Sequence, residues 1–98
     1  MPWVTITKSD LKGKKMKAVF LSKDRKTKKT IHFGSAGMDD YTKTKDKAQR
    51  QRYLDRHRKN EDWNNPQTAG ALSRWILWGD STSLNTNIAT FKKKFGYK

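Results

Sequence analysis

Leu84, Ile88, Phe91 and Phe95 fall at i, i+4, i+7 and i+11, a spacing that lines one face of an α-helix with apolar side chains. Such a helix is stable only when its stripe is buried against another element. The rest of the chain must supply that surface, and it has little to supply it with. Only 33% of the 98 residues are hydrophobic, and counting glycine still leaves the chain under the ~45–50% usual for globular domains. A chain of this length has room for one small core. The four Trp, three Tyr and four Phe must provide much of it, since one such side chain can bury ~150–250 Å². The expected core is Phe20, Ile31, Phe33, Leu54, Leu72, Trp75, Ile76, Leu84, Ile88, Phe91 and Phe95.

The flanking residues suit that last helix. Ser81-Thr82-Ser83 offers an N-cap, Lys92 to Lys94 complement the helix dipole in its last turn, and Gly96 closes it. Upstream, Asn65 as N-cap and Pro66 at the first position predict a short helix to Trp78, with its periodic pattern from Thr68 and its stop at Gly79. Lys47 to Lys59 favour helix with Thr44 or Asp46 as cap, on a thin stripe of Ala48, Tyr53 and Leu54. Gly34 to Met38 form a break. Before it, residues 15–33 predict a β-hairpin, with Met16, Ala18 and Phe20 on one face of the first strand and Ile31 and Phe33 on one face of the second. Ser22 to Thr27 make its basic loop, and Trp3 to Thr7 a third strand joined through Lys8 to Lys14. The fold class is α+β: an N-terminal β-hairpin or three-stranded sheet followed by about three short helices, in one basic domain over residues 1–98. Residues 1–33 form its basic β-rich segment, 44–60 its basic helix and 66–95 its aromatic-rich helical segment.

Catalytic chemistry finds few footholds. With no cysteine there is no disulfide framework, thiolate zinc site or thiol nucleophile. His32 and His57 lack zinc-ligand spacing, and His57 lies among arginines that deter a bound cation. Strand alternation sets His32 opposite Ile31 and Phe33, on the solvated face. Asp39-Asp40 and Glu61-Asp62 are paired carboxylates of the kind that can hold Mg²⁺ for phosphodiester cleavage. They precede and close a basic helix, so structural or electrostatic roles are expected of them. Gly34-Ser-Ala-Gly37 is not a phosphate-binding loop, because no Gly-Lys-Ser/Thr follows. The expectation is a protein that is not an enzyme, without cofactor, metal or small-molecule substrate. No stretch is long and apolar enough for a membrane span, and the N-terminus lacks a signal peptide's pattern, which suits an intracellular protein or one carried inside a particle.

Charge is the stronger signal. Twenty-three Lys and Arg against nine Asp and Glu give a net +14, which calls for an acidic partner. Ten of those cations lie in residues 1–33, with Lys12, Lys14, Lys15, Lys17, Lys23, Arg25, Lys26, Lys28 and Lys29 on and around the hairpin, placed to track a phosphate backbone. Arg50, Arg52, Arg56 and Arg58 cannot share one helix face; some are expected to pair with Asp46, Asp55, Glu61 or Asp62, and others to meet nucleic acid or an acidic protein. Trp75 reads as core. Trp63 and Trp78, the latter at a helix end, read as protein-interface anchors.

Phe33-Gly34-Ser35-Ala36-Gly37-Met38-Asp39-Asp40-Tyr41-Thr42, Lys45-Asp46, Arg52-Tyr53-Leu54-Asp55-Arg56-His57 and Thr68-Ala69-Gly70-Ala71-Leu72-Ser73-Arg74-Trp75-Ile76-Leu77-Trp78 resemble a family of small basic uncharacterised proteins of large nucleocytoplasmic DNA viruses, among algal viruses and mimivirus relatives. The resemblance covers roughly residues 15–95 and brings no catalytic residues with it. It implies a virion setting, on the inner side of the capsid or in the nucleoid, with the host cytoplasm or nucleus during assembly. The leading expectation is a non-enzymatic minor capsid component that binds acidic shell proteins of the same virus by charge and aromatic anchors. Nucleic-acid binding, for DNA packaging or condensation, is the alternative, and a small nuclease a distant third.

Overall fold

Residues 3–8 and 14–21 alternate as strands with one dry face do. In the computed structural model, which describes residues 2–98, β1 (Trp3–Lys8), β2 (Lys14–Leu21) and β3 (Lys28–Ser35) form an antiparallel sheet in the order β1-β2-β3. Val4 pairs with Phe20, Ile6 with Ala18, Ala18 with Ile31 and Met16 with Phe33, so these side chains share the inner face. Trp3, Thr5, Val19, Leu21, Lys28 and Thr30 occupy the outer one. The third strand is thus present, and the expected break at Gly34 begins two residues later, because β3 continues through Ser35. Gly34 makes this possible: it has φ +77°, and a Cβ there would lie 2.6 Å from Leu77 Cδ1. Any other residue would be strained at that φ and would have to displace the Leu77 methyl.

The helices follow as α1 (Tyr41–Thr44), α2 (Lys47–His57), α3 (Ala69–Leu72) and α4 (Leu84–Phe95). Each opens on a side-chain cap. Asp46 accepts from Ala48 N and Gln49 N at 3.0 and 3.1 Å, and Ser83 from Thr86 N at 3.3 Å, as their sequence positions suggest. The expected cap at Asn65 is corrected: its side chain accepts from Gln67 N in a local turn, and Thr68 caps α3 through Ala71 N at 3.1 Å. The segment ending at Trp78 is also not one α-helix. After Leu72 it widens into a π-helical turn over Ser73–Leu77, closed by Trp78 N donating to Ser73 O at 2.9 Å.

Asn87 of α4 is only 2% exposed and secures the end of that turn. Its Nδ2 donates to Ile76 O and Ser81 O at 2.9 and 2.7 Å, and its Oδ1 accepts from Ser81 N at 3.1 Å. Gly79 leaves room for this, since a Cβ there would stand 2.4 Å from Trp75 O. The core joins Val4, Ala18, Phe20 and Phe33 of the sheet to Leu54, Leu72, Ile76 and Phe91 of the helices. Tyr41, Tyr53, Leu77 and Trp78 extend it. Ile31, Trp75, Leu84, Ile88 and Phe95, expected at the centre, are partly buried around the rim.

Candidate functional site

The sheet divides the N-terminal cations between its two ends. Lys12 and Lys14 stand exposed at the β1–β2 turn, while Lys23, Arg25, Lys26, Lys28 and Lys29 stand exposed in and beside the β2–β3 loop. Eight residues of β2 at ~3.3 Å each separate the ends by about 25 Å. None of these seven has an acidic partner within ion-pair distance among the described residues. The loop is shaped by Asp24, which accepts from Ser22 Oγ at 2.6 Å and Lys26 N at 3.0 Å. Those bonds, the Ser22 hydroxyl foremost, hold the Asp24 carboxyl below its usual pKa.

Two lysines of the expected set behave differently. Lys15 donates to Asp40 at 2.6 Å, and Asp40 is 4% exposed and caps α1 through Thr42 N and Lys43 N. Lys15 is therefore corrected from a binding residue to the counterion of a buried cap. Lys17 lies on the outer sheet face, 3.6 Å from Asp10.

The arginines also divide. Arg50 Nε donates to Trp78 O and Gly79 O at 3.1 and 3.0 Å, and its Nη2 to Asp80 at 2.8 Å. It closes the turn after the π-helical segment and is corrected to a structural role; its acidic partner is Asp80, outside the expected set. Arg52, Arg56 and Arg58 are exposed and without acidic partners among the described residues. Trp78, expected at an interface, is 7% exposed, with its ring stacked on Tyr53 at 4.2 Å, and so belongs to the core. Trp63 is half-buried, donating from Nε1 to Glu61 at 2.9 Å and accepting Trp75 Nε1 at its carbonyl at 2.8 Å.

A cleft of about 510 Å³ opens between α2, α3 and the end of the sheet where β2 begins and β3 finishes, lined in part by Lys14, Asp39, Tyr53, Arg56, His57 and Glu61. His57 Nδ1 meets Glu61 at 2.7 Å, and its ring stacks on Tyr53 at 4.2 Å. Burial, with the Glu61 charge second, raises the Tyr53 phenol above its usual pKa. The two carboxylate pairs do not converge: Asp40 caps α1 against Lys15, Asp39 faces Lys43 at 3.7 Å, Glu61 bridges His57 and Trp63, and Asp62 accepts from Asn64 N. Among the described residues no three His, Asp or Glu side chains are grouped to hold a metal ion, and no helix is long and apolar enough to cross a membrane.

The outer sheet face carries a feature that the sequence reading did not single out. Trp3, Thr5, Val19, Leu21, Arg25 and Lys28 line a shallow hollow of about 440 Å³. Trp3 is its half-buried wall, with the Arg25 guanidinium 4.8 Å and the Lys98 ammonium 6.0 Å from the ring centre. The signal was present as phase: Trp3 alternates against Val4 and Ile6, so it must point away from the core.

The family described as a family of unknown function (DUF5754) matches residues 4–57, the sheet together with α1 and α2. No curated protein and no solved structure matches the chain.

Proposed function

The chain belongs to the family of unknown function DUF5754, and from that premise we propose that it is a non-enzymatic nucleic-acid-binding protein whose contact surface is the basic sheet. The observation that carries this reading is the set of exposed, unpartnered cations at the two ends of one sheet. A solvated lysine face kept only for solubility has no need of an aromatic hollow between its charges, and Arg25 and Lys28 border one here. Given the resemblance to proteins of large DNA viruses, the proposed setting is a virion, where such a protein packages or condenses DNA.

The test is a duplex-DNA titration against salt. If Lys12, Lys14, Lys23, Arg25, Lys26 and Lys28 supply four to six phosphate contacts, log K against log salt falls with a slope of about −3.5 to −5.5. A slope shallower than −1 overturns the reading. A second reading, a minor capsid component bound to acidic shell proteins, draws on the unpartnered Arg52, Arg56 and Arg58 of the α2 region. The burial of Trp78 removes one of its two aromatic anchors. Retention of the chain on nuclease-stripped shells would favour it, and release with the DNA would favour the first.

A further inference from the structure

We infer that the outer sheet face binds single-stranded nucleic acid, with a base stacked on Trp3 and the neighbouring phosphates held by Arg25, Lys26 and Lys28. The inference rests on the nucleic-acid reading and adds to it the strand state of the ligand and the residue that selects it. Duplex DNA offers a protein surface phosphates and groove edges, and its base faces are hidden in the stack. A single strand offers both phosphates and base faces, and proteins that hold it combine a cationic track with aromatic platforms.

The outer face has both parts in one place. Most of this sheet's large apolar side chains face inward to the core, but Trp3, Val19 and Leu21 do not. They form a concave apolar floor with no protein layer over it. Its volume, about 440 Å³, lies within the ~300–1,000 Å³ typical of small-ligand hollows. Among the described residues Arg25 is the one cation within 5 Å of the indole centre. It is exposed, and its side chain makes no hydrogen bond or ion pair among the described residues. Its backbone has φ +62°, a region that residues other than glycine seldom occupy. An unanchored guanidinium can yield its place to a base and then stack over it or pair with the adjoining phosphate. Lys28 lines the hollow beside Arg25, and Lys98 approaches the same ring, so the floor is bordered by positive charge. An acidic protein would also meet that charge, but the carboxylates that answer it have no base-sized π face to lay on the indole, whereas in a single strand each phosphate comes with a base.

The experiment compares three end-labelled probes by fluorescence anisotropy at one salt concentration: an oligo-dT, an oligomer of abasic sites of equal length, and a duplex. The abasic strand keeps the phosphates and lacks the bases. The expected result is that the wild-type chain binds oligo-dT roughly 5- to 150-fold tighter than the abasic strand. Trp3→Ala should erase that preference while leaving the abasic strand and the duplex bound as before, and Trp3→Phe should keep part of it. Matching urea midpoints for the variants keep the comparison on folded protein. Equal affinity of the wild type for oligo-dT and the abasic strand would overturn the stacking role with charge-based binding intact. So would an equal loss on all three probes in Trp3→Ala. Failure to bind any of the probes would overturn this inference together with the nucleic-acid reading beneath it.

Discussion

Replacing Lys15 by alanine should cost stability and leave nucleic-acid binding alone, although Lys15 sits in the same run of lysines as the proposed contacts. Its ammonium is 2.6 Å from an Asp40 carboxylate whose side chain is 5% exposed, while Lys15 itself is 18% exposed. A hydrogen bond to a charged group is worth ~1.5–3 kcal/mol, and removing one partner leaves the other desolvated. Two features moderate the loss. Water reaches the ammonium side, and Asp40 keeps Thr42 N, Lys43 N and the Thr42 hydroxyl as donors. The expected destabilisation is about 1–3 kcal/mol. In urea, with m of about 2 kcal/mol/M, that lowers the midpoint by about 0.5–1.5 M. Lys15→Met, which keeps the methylenes packed beside Gly34, should recover only the packing part. Lys26→Ala is the converse: within about 0.5 kcal/mol of wild type in stability, with the salt slope on duplex DNA shallower by about 0.9. If Lys15→Ala unfolds at the wild-type midpoint and flattens the salt slope as Lys26→Ala should, the division of lysines drawn from the structure is wrong.

Two further outcomes follow from the helical layer. Asn87→Ala leaves Ile76 O buried without its donor and breaks two bonds to Ser81, so it should cost about 2–4 kcal/mol, whereas Asn85→Ala on the exposed face should stay within about 0.5 kcal/mol; chemical denaturation of both variants checks this. The Tyr53 phenol has its pKa raised above the usual 10.0 by burial, so the folded state holds its proton more tightly than the unfolded state. The resulting stability is complete below pH 10 and is lost as pH rises above it; Tyr53→Phe should make the stability curve flatter there, as read by denaturation at stepped alkaline pH.

Much of the fold was legible because the local signals agreed with one another. The alternation of Met16, Ala18 and Phe20, the caps at Asp46 and Ser83 and the stripe of α4 each stated a local preference that tertiary packing had no reason to override. The short α1 was missed because its cap, Asp40, draws its stability from Lys15, twenty-five residues away, and no local pattern announces such a partner. Tyr53 reads in the sequence as one of three residues in a thin stripe. The aromatic stack of His57, Tyr53 and Trp78 gives it a burial that its polar neighbours concealed. The charge was legible as a total and illegible as a surface: one run of cations contains free ends, the counterion of a buried carboxylate and a residue paired across the outer face. Arg50 is hidden in the same way, since the carbonyls it binds lie twenty-eight and twenty-nine positions downstream.

The π-helical turn acts as a phase shifter. An ideal helix advances about 100° per residue, so one surplus residue within a turn rotates everything after it by about that angle. Without the surplus, Trp75 and Trp78, three positions apart, would point within about 60° of each other. With it, Trp75 reaches Phe95 and the Trp63 carbonyl, while Trp78 turns toward Tyr53. Deleting a single residue between Ser73 and Leu77 would therefore leave the composition of this segment almost intact and swing Trp78 out of its stack, taking with it the two carbonyl oxygens on which Arg50 closes.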